Sequence, residues 1–138
     1  MSSRRKFMMA SGAGLLATAS SSGVHASSDS HEITVGVMGL SRGLALAKDL
    51  AKLPGVRVKY LCDVDTLRLQ KGLAALGGEK QEDVRGVVDF RKILEDDAVD
   101  ALVCATPNHW HAPATIMACK AGKHVYVEKP CSHSPAEG

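Results

Sequence analysis

The chain has 138 residues, 45% of them hydrophobic and 4% aromatic, with 17 basic and 15 acidic side chains and a formal net charge of +2. Three of the basic residues, Arg4, Arg5 and Lys6, precede the first acid, Asp29, and the chain beyond them is near neutral with 14 basic against 15 acidic residues. Nothing in this balance asks for nucleic acid or an anionic membrane as partner, and the length admits one domain of ordinary size.

The first segment reads as an export signal. Ser3-Arg4-Arg5-Lys6-Phe7 is a basic start with paired arginines, and an apolar stretch loosened by Gly12 and Gly14 follows from Phe7 to Ala19. A stretch of about a dozen residues is too short to span a bilayer, which takes about 20. Val24-His25-Ala26 supplies small residues for a signal peptidase, so cleavage is expected after Ala26. Residues 1–26 are therefore expected to be a twin-arginine signal, with the twin-arginine translocase as a partner and a periplasmic or otherwise exported location. That route carries folded proteins, which suits one that takes up a nucleotide before export. The competing reading is a disordered basic tail on a cytoplasmic protein. Residues 27–32 form a polar linker.

From residue 33 onward, apolar strand-like runs alternate with helical patterns, the sequence sign of a parallel sheet covered by helices. Ile33 to Met38 is the first strand. Leu44, Ala45, Ala47, Leu50, Ala51 and Leu53 make a helical stripe ended by Pro54-Gly55, and Val56 to Cys62 is a second strand. Thr66 to Leu76 is predicted helical, with Leu67, Leu73, Ala74 and Leu76 inward and Gly77-Gly78 as the stop. Gly86 to Val88 is a short third strand, and Asp89 caps a helix from Phe90 to Glu95. Asp100 to Ala105 is a continuous apolar run, as expected of a strand buried on both faces. A helix from His111 to Ala121 closed by Gly122, a strand from His124 to Val127, and a helical first turn at Pro135-Ala136-Glu137 complete the pattern. Five strands and about four helices predict an α/β fold, a doubly wound Rossmann-type domain over residues 33–138, one strand short of six.

The chemistry gathers at the ends of these strands. Gly39-Leu40-Ser41-Arg42-Gly43 lies between the first strand and its helix, where a nucleotide pyrophosphate meets exposed amides and a helix dipole. Gly39, Ser41, Arg42 and Gly43 are the candidate contacts. Against G-x-G-x-x-G, the stretch either puts Ser41 and Leu44 in place of glycines or is one residue short, and the two glycines could also serve only a tight turn. Asp63 ends the second strand, 24 residues after Gly39, near the position of an acid that accepts from adenosine ribose hydroxyls. Such a carboxylate, with Asp65 beside it, would repel a 2′-phosphate by roughly 1 to 4 kcal/mol per close pair. NAD is expected over NADP. Asp65 is also the natural cap of the following helix.

Thr106-Pro107-Asn108-His109-Trp110-His111 follows the fourth strand at its carboxyl end, where ligands bind in open parallel sheets. Thr106 and Asn108 offer hydrogen bonds beside the fixed backbone of Pro107, and Trp110 offers a flat face, although Asn108 could instead cap the helix. Glu128-Lys129-Pro130 ends the fifth strand and brings a lysine able to donate to a substrate hydroxyl or carbonyl as hydride moves. Cys62, Cys104, Cys119 and Cys131 match no metal-ligand spacing, and no metal site is expected. They are expected to be free thiols, Cys62 and Cys104 as small buried hydrophobes.

With these residues assembled, the chain resembles the Gfo/Idh/MocA family of oxidoreductases. The resemblance rests on Thr106 to His111 and on Ala121-Gly122-Lys123-His124-Val125-Tyr126-Val127-Glu128-Lys129-Pro130, extends from about Thr34 to Gly138, and fits an exported subgroup with twin-arginine signals. It implies a Rossmann domain that binds NAD or NADP, with Lys129 as the catalytic contact near nicotinamide and substrate. It also implies Asp63 on ribose, Gly39 to Gly43 on pyrophosphate, and Thr106, Pro107, Asn108, His111, Glu128 and Lys129 lining the cofactor site. The implied reaction is hydride transfer to or from a sugar or cyclic polyol, with a homo-oligomeric state. Some relatives instead use resident NAD to cleave glycosidic bonds by transient oxidation and elimination. The family's second, α+β domain, which supplies an acid and a histidine to the substrate, is not in this sequence, so a non-catalytic truncated fragment is the third reading.

Overall fold

The computed structural model describes residues 32–77 and 83–138. The expected signal segment, most of the linker and Gly78 lie outside the described residues. Five parallel strands form one sheet in the order β3-β2-β1-β4-β5: β1 Ile33–Met38, β2 Val56–Cys62, β3 Arg85–Val87, β4 Ala101–Cys104 and β5 His124–Val127. This is the doubly wound Rossmann-type order, in which successive connections leave β1 in opposite directions and open a crevice at its carboxyl end.

Helices α1 (Gly43–Leu50) and α2 (Thr66–Leu76) cover one face, packing Leu40, Ala47 and Leu76 on Val35, Val37, Val58, Leu61 and Val103. Helices α3 (Arg91–Leu94) and α4 (His111–Lys120) cover the other, with Phe90, Ile93, Ala114 and Ala118 on Met38, Cys62, Leu102 and Cys104. Strand β1 is central and buried on both sides, which is why Thr34 to Met38 reads as an unbroken run. Gly36 within it makes room for α3, since a Cβ there would lie 2.3 Å from Ile93 Cγ2. At the carboxyl ends the register aligns Val87, Cys62, Met38, Cys104 and Val127 in one row across all five strands.

Several expectations shift. Helix α1 ends at Leu50, Leu53 is exposed, and Leu46 packs on the sheet where Ala45 was expected. On α2 the inward stripe is Leu69, Gly72, Leu73 and Leu76, while Leu67 and Ala74 face outward. The spacing i, i+3, i+4, i+7 follows from 3.6 residues per turn, and Leu67 falls off that stripe. Strand β3 sits one residue earlier than expected, α3 is one turn capped at Phe90 and not at Asp89, and Asp89 Oδ1, one residue before that cap, accepts from the Arg91 amide at 3.0 Å. Strand β4 is trimmed to Ala101–Cys104, and α4 stops at Lys120, before Gly122 turns the chain with φ 73°. Pro135 to Glu137 form a turn and not a helix, closed by Glu137 N donating to Ser134 O at 3.1 Å.

At the opposite, amino end of β4, Asp96 gathers three partners. Lys59 Nζ is 2.6 Å from Oδ2, the Tyr60 hydroxyl donates at 2.9 Å, and the Ala98 amide donates to Oδ1 at 3.0 Å. The hydrogen bond from Lys59 is the chief reason that the Asp96 carboxyl is pushed down to about 2. All four cysteines are free, Cys62 and Cys104 buried and Cys119 and Cys131 exposed. No helix among the described residues is long and apolar enough to cross a membrane.

Candidate functional site

The carboxyl ends of β1, β2 and β4 are drawn together by one glycine. Gly39 has φ 87°, its amide donates to Cys62 O at 2.8 Å, and a Cβ on it would stand 2.7 Å from Ala105 O and 2.8 Å from Thr106 N. A side chain there is excluded both by conformation and by two neighbouring main chains. Gly43 opens α1, its amide donates to Gly39 O at 2.9 Å, and a Cβ there would meet Val37 Cγ1 at 2.9 Å. Gly43 therefore occupies the helix-packing glycine position, four residues after Gly39, while Leu44 packs on the core. Of the two alignments left open by the sequence, the loop is the one that is a residue short.

This shortened turn leaves Ser41 and Arg42 exposed at the start of α1, where no side chain caps the helix. Unopposed amides and the positive end of the helix dipole at that point favour an anion. Asp63, buried at the end of β2, holds the loop in place: Oδ2 accepts from the Leu40 amide at 2.7 Å and Oδ1 from the Asp65 amide at 2.9 Å. A carboxylate has about four acceptor positions, so two of them stay available for hydroxyl donors. Asp65 caps α2 through the Leu67 and Arg68 amides at 2.9 and 3.2 Å, as expected.

These elements wall a cleft of about 780 Å³. The turn after β1 contributes Gly39, Ser41 and Arg42, the end of β2 Asp63 and Val64, and the segment after β4 Thr106, Pro107, His109 and Trp110. Toward the β3 edge of the sheet it is lined by Arg68, Val88, Asp89, Phe90 and Arg91. Arg68 lies 3.4 Å from Asp65 and Arg91 3.0 Å from Asp89, so each guanidinium there is paired with a neighbouring acid. Trp110 is 40% exposed and meets Phe90 edge to face, with centroids 6.0 Å apart. The apolar Val64 and Val88, 85% and 55% exposed, flank this end, and their exposure has no reason in packing. The sequence reading passed over Val64, Arg68, Val88 and Arg91. The available signal was position: each lies within six residues of a strand's carboxyl end.

The remaining candidates are not on the cleft wall. Asn108 begins a single turn of 3-10 helix, Asn108–Trp110, and is exposed; its side chain caps neither that turn nor α4. His111 departs most from expectation. It is 1% exposed, and each ring nitrogen lies within hydrogen-bond distance of a main-chain carbonyl, so it backs the site and does not line it. Glu128 lies off the cleft lining, with its Oε1 3.4 Å from Arg42 Nε, a pair that ties the loop after β1 to the end of β5. Lys129 is exposed and makes no ion pair with any described residue. Among the described residues no group of three or more His, Cys, Asp or Glu could hold a metal ion.

Comparison with known proteins gives three kinds of likeness. The family described as "Oxidoreductase family, NAD-binding Rossmann fold" matches residues 33–138. A curated relative, "Glycosyl hydrolase family 109 protein 2" of Shewanella sp. (strain ANA-3), is 36% identical over 104 residues, which cover 72% of this chain and 23% of that protein. The chain thus spans about a quarter of the length of the curated relatives it matches. Among solved structures, a probable dehydrogenase from Thermotoga maritima superposes with a TM-score of 0.68 at 31% identity, covering 76% of this chain and 30% of that one. The scyllo-inositol dehydrogenase from Lactobacillus casei, solved with NAD(H) and scyllo-inositol, gives 0.67 at 28% identity with the same coverage.

Proposed function

From a chain that belongs to the Gfo/Idh/MocA oxidoreductase family and carries its NAD-binding Rossmann domain, we propose the cofactor half of an exported enzyme that moves hydride to or from a sugar or cyclic polyol. Residues 1–26 act as a twin-arginine signal, 27–32 as a linker and 33–138 as the cofactor domain. A second, substrate-choosing domain belongs to the longer protein. The translocase, a sugar or polyol and a second copy of the chain are its partners.

One observation carries this reading: Gly39, Ser41, Arg42, Asp63, Thr106, Pro107, His109 and Trp110 line a single crevice at the carboxyl ends of β1, β2 and β4. The cradle fits a dinucleotide, because Gly39 leaves space that any Cβ would fill and the start of α1 offers amides to a diphosphate. NAD, when bound, supplies the hydride acceptor. The chain's own residues do the rest. Ser41, Arg42 and the α1 amides bind the diphosphate, and Asp63 accepts from ribose hydroxyls. Thr106, Pro107 and Asn108 flank the nicotinamide end, with Glu128 and Lys129 beyond them, and Lys129 Nζ donates to the substrate oxygen as its carbon changes oxidation state.

NAD is favoured over NADP because Asp63 and Asp65 stand where a 2′-phosphate would go and the nearby Arg68 and Arg91 are already paired. Asp63→Ser should narrow the difference in affinity while loosening the Leu40 amide. Isothermal titration with each nucleotide tests this, and NADP binding as tight as NAD in the unsubstituted chain would sink it. The likeness to a family 109 glycosyl hydrolase favours a second reading, a glycosidase with resident NAD. Net cofactor turnover separates them, since a hydrolase leaves NAD unchanged overall.

A further inference from the structure

His111 is buried among the residues of the site yet touches the cleft nowhere. Its Nδ1 lies 2.5 Å from Pro130 O and its Nε2 2.8 Å from Thr106 O, two carbonyls on different loops. One loop follows β4 and supplies Thr106, Pro107, His109 and Trp110 to the cleft wall. The other follows β5 and carries Lys129. On its upstream side Lys129 is anchored by the Glu128 amide, which donates to Cys104 O at 3.0 Å and so extends the β4–β5 ladder by one bond. On its downstream side the Pro130 carbonyl is held by the imidazole, while the Lys129 side chain itself is exposed with no ionic partner among the described residues.

Both partners are carbonyls, which only accept, so we propose that His111 is a positioning residue carrying a proton on each ring nitrogen: Nε2–H donates to Thr106 O and holds the cleft wall, and Nδ1–H donates to Pro130 O and sets where Lys129 stands. The inference rests on Lys129 standing beside the nicotinamide. A rigid imidazole suits this role, because its two nitrogens lie at a fixed separation and neither has solvent as an alternative partner. The ring thereby fixes the spacing of two loops that otherwise share no side-chain bond at this depth.

The two ties can be cut separately. In His111→Asn the side-chain amide falls near the place of Nδ1, and in His111→Gln near that of Nε2. The measurements are NAD affinity and the rate at which an acylating reagent modifies Lys129 with and without saturating NAD, read by mass spectrometry on the whole chain. In the unsubstituted chain NAD should slow Lys129 acylation. The Asn variant should keep that protection and bind NAD roughly two- to tenfold more weakly, as one lost hydrogen bond implies. The Gln variant should bind NAD nearly as well and lose most of the protection. Equal losses in both variants, in proportion to their melting temperatures, would mean that the ring is only a packing element and would overturn the inference while leaving the functional reading intact. NAD binding to the unsubstituted chain without protection of Lys129 would overturn both. If neither variant folds, two His111 ring N–H protons slow to exchange in the unsubstituted chain support the ties, and fewer than two refute them.

Discussion

Replacing Gly39 by alanine tests the geometry that makes the cleft. Two costs add at this position. The first is conformational: with φ at 87°, an alanine pays about 1 to 2 kcal/mol for the left-handed region. The second is steric, because the new Cβ would lie 2.7 to 2.8 Å from Ala105 O, Ala105 C and Thr106 N, all main-chain atoms that cannot rotate away. Relieving such overpacking costs about 1 to 3 kcal/mol, and here the ends of β1 and β4 must part. The total, about 2 to 5 kcal/mol, is a large share of a domain's usual 5 to 15. Gly122→Ala is the control: its φ is 73°, but nothing lies within 4 Å of the added carbon, so only the first cost applies. Urea unfolding of both variants gives the difference directly, about 1 to 3 kcal/mol larger for Gly39→Ala. NAD titration should show at least a tenfold loss for Gly39→Ala and none for Gly122→Ala. Equal destabilisation by the two would refute the claim that strand ends are held in contact at Gly39.

Three further outcomes follow from other parts of the molecule. Asp96→Asn should cost on the order of 1 to 3 kcal/mol at neutral pH by leaving Lys59 without its carboxylate. The Asp96 carboxyl is lowered from 3.8 to about 2, so its contribution is complete above pH 4 and disappears as pH falls through 2. Urea midpoints should therefore fall between pH 4 and 2 more steeply in the unsubstituted chain than in the variant. Substituting both Arg4 and Arg5 by lysine should retain the protein in the cytoplasm, and fractionation that still finds it exported would rule out the twin-arginine route. In the longer protein, Lys129→Ala should lower turnover more than NAD affinity, and unchanged turnover would remove Lys129 from the chemistry.

The centre of the sheet was legible because β1 and β4 are apolar on both faces, while β2 and β5 showed through their β-branched and aromatic runs. Thr66–Leu76 was found to the residue because Asp65 caps one end and the apolar periodicity runs out at the other. Which face of α2 points inward was misread, since Leu67 is as apolar as Leu69 and only the sheet beneath decides between them. The shortened phosphate-type loop could not be aligned from spacing alone; the contact of Gly43 with Val37 resolves it. His111 is expected on the cofactor only because it shares a segment with Thr106, Pro107 and Asn108. Sequence carries no mark of whether an imidazole faces a cleft or spends both nitrogens on carbonyls behind it. Val64 and Val88 were unreadable for the opposite reason, being ordinary strand-type residues that happen to lie where a strand has ended.

The register of the sheet also bears on the fate of its sulfur atoms. Cys62 and Cys104 are each opposite Met38, on strands to either side of β1. Neighbouring strands are about 4.8 Å apart, so the Cα atoms of these two cysteines lie roughly 9.6 Å from one another, beyond the reach of any disulfide without tearing β1 out of the sheet. Burial also pushes the Cys62 thiol up to about 12, which withholds the thiolate that exchange with an oxidant requires. A domain folded before it meets an oxidising compartment would thus keep its two inner cysteines from pairing with each other, held apart by the strand that carries Met38.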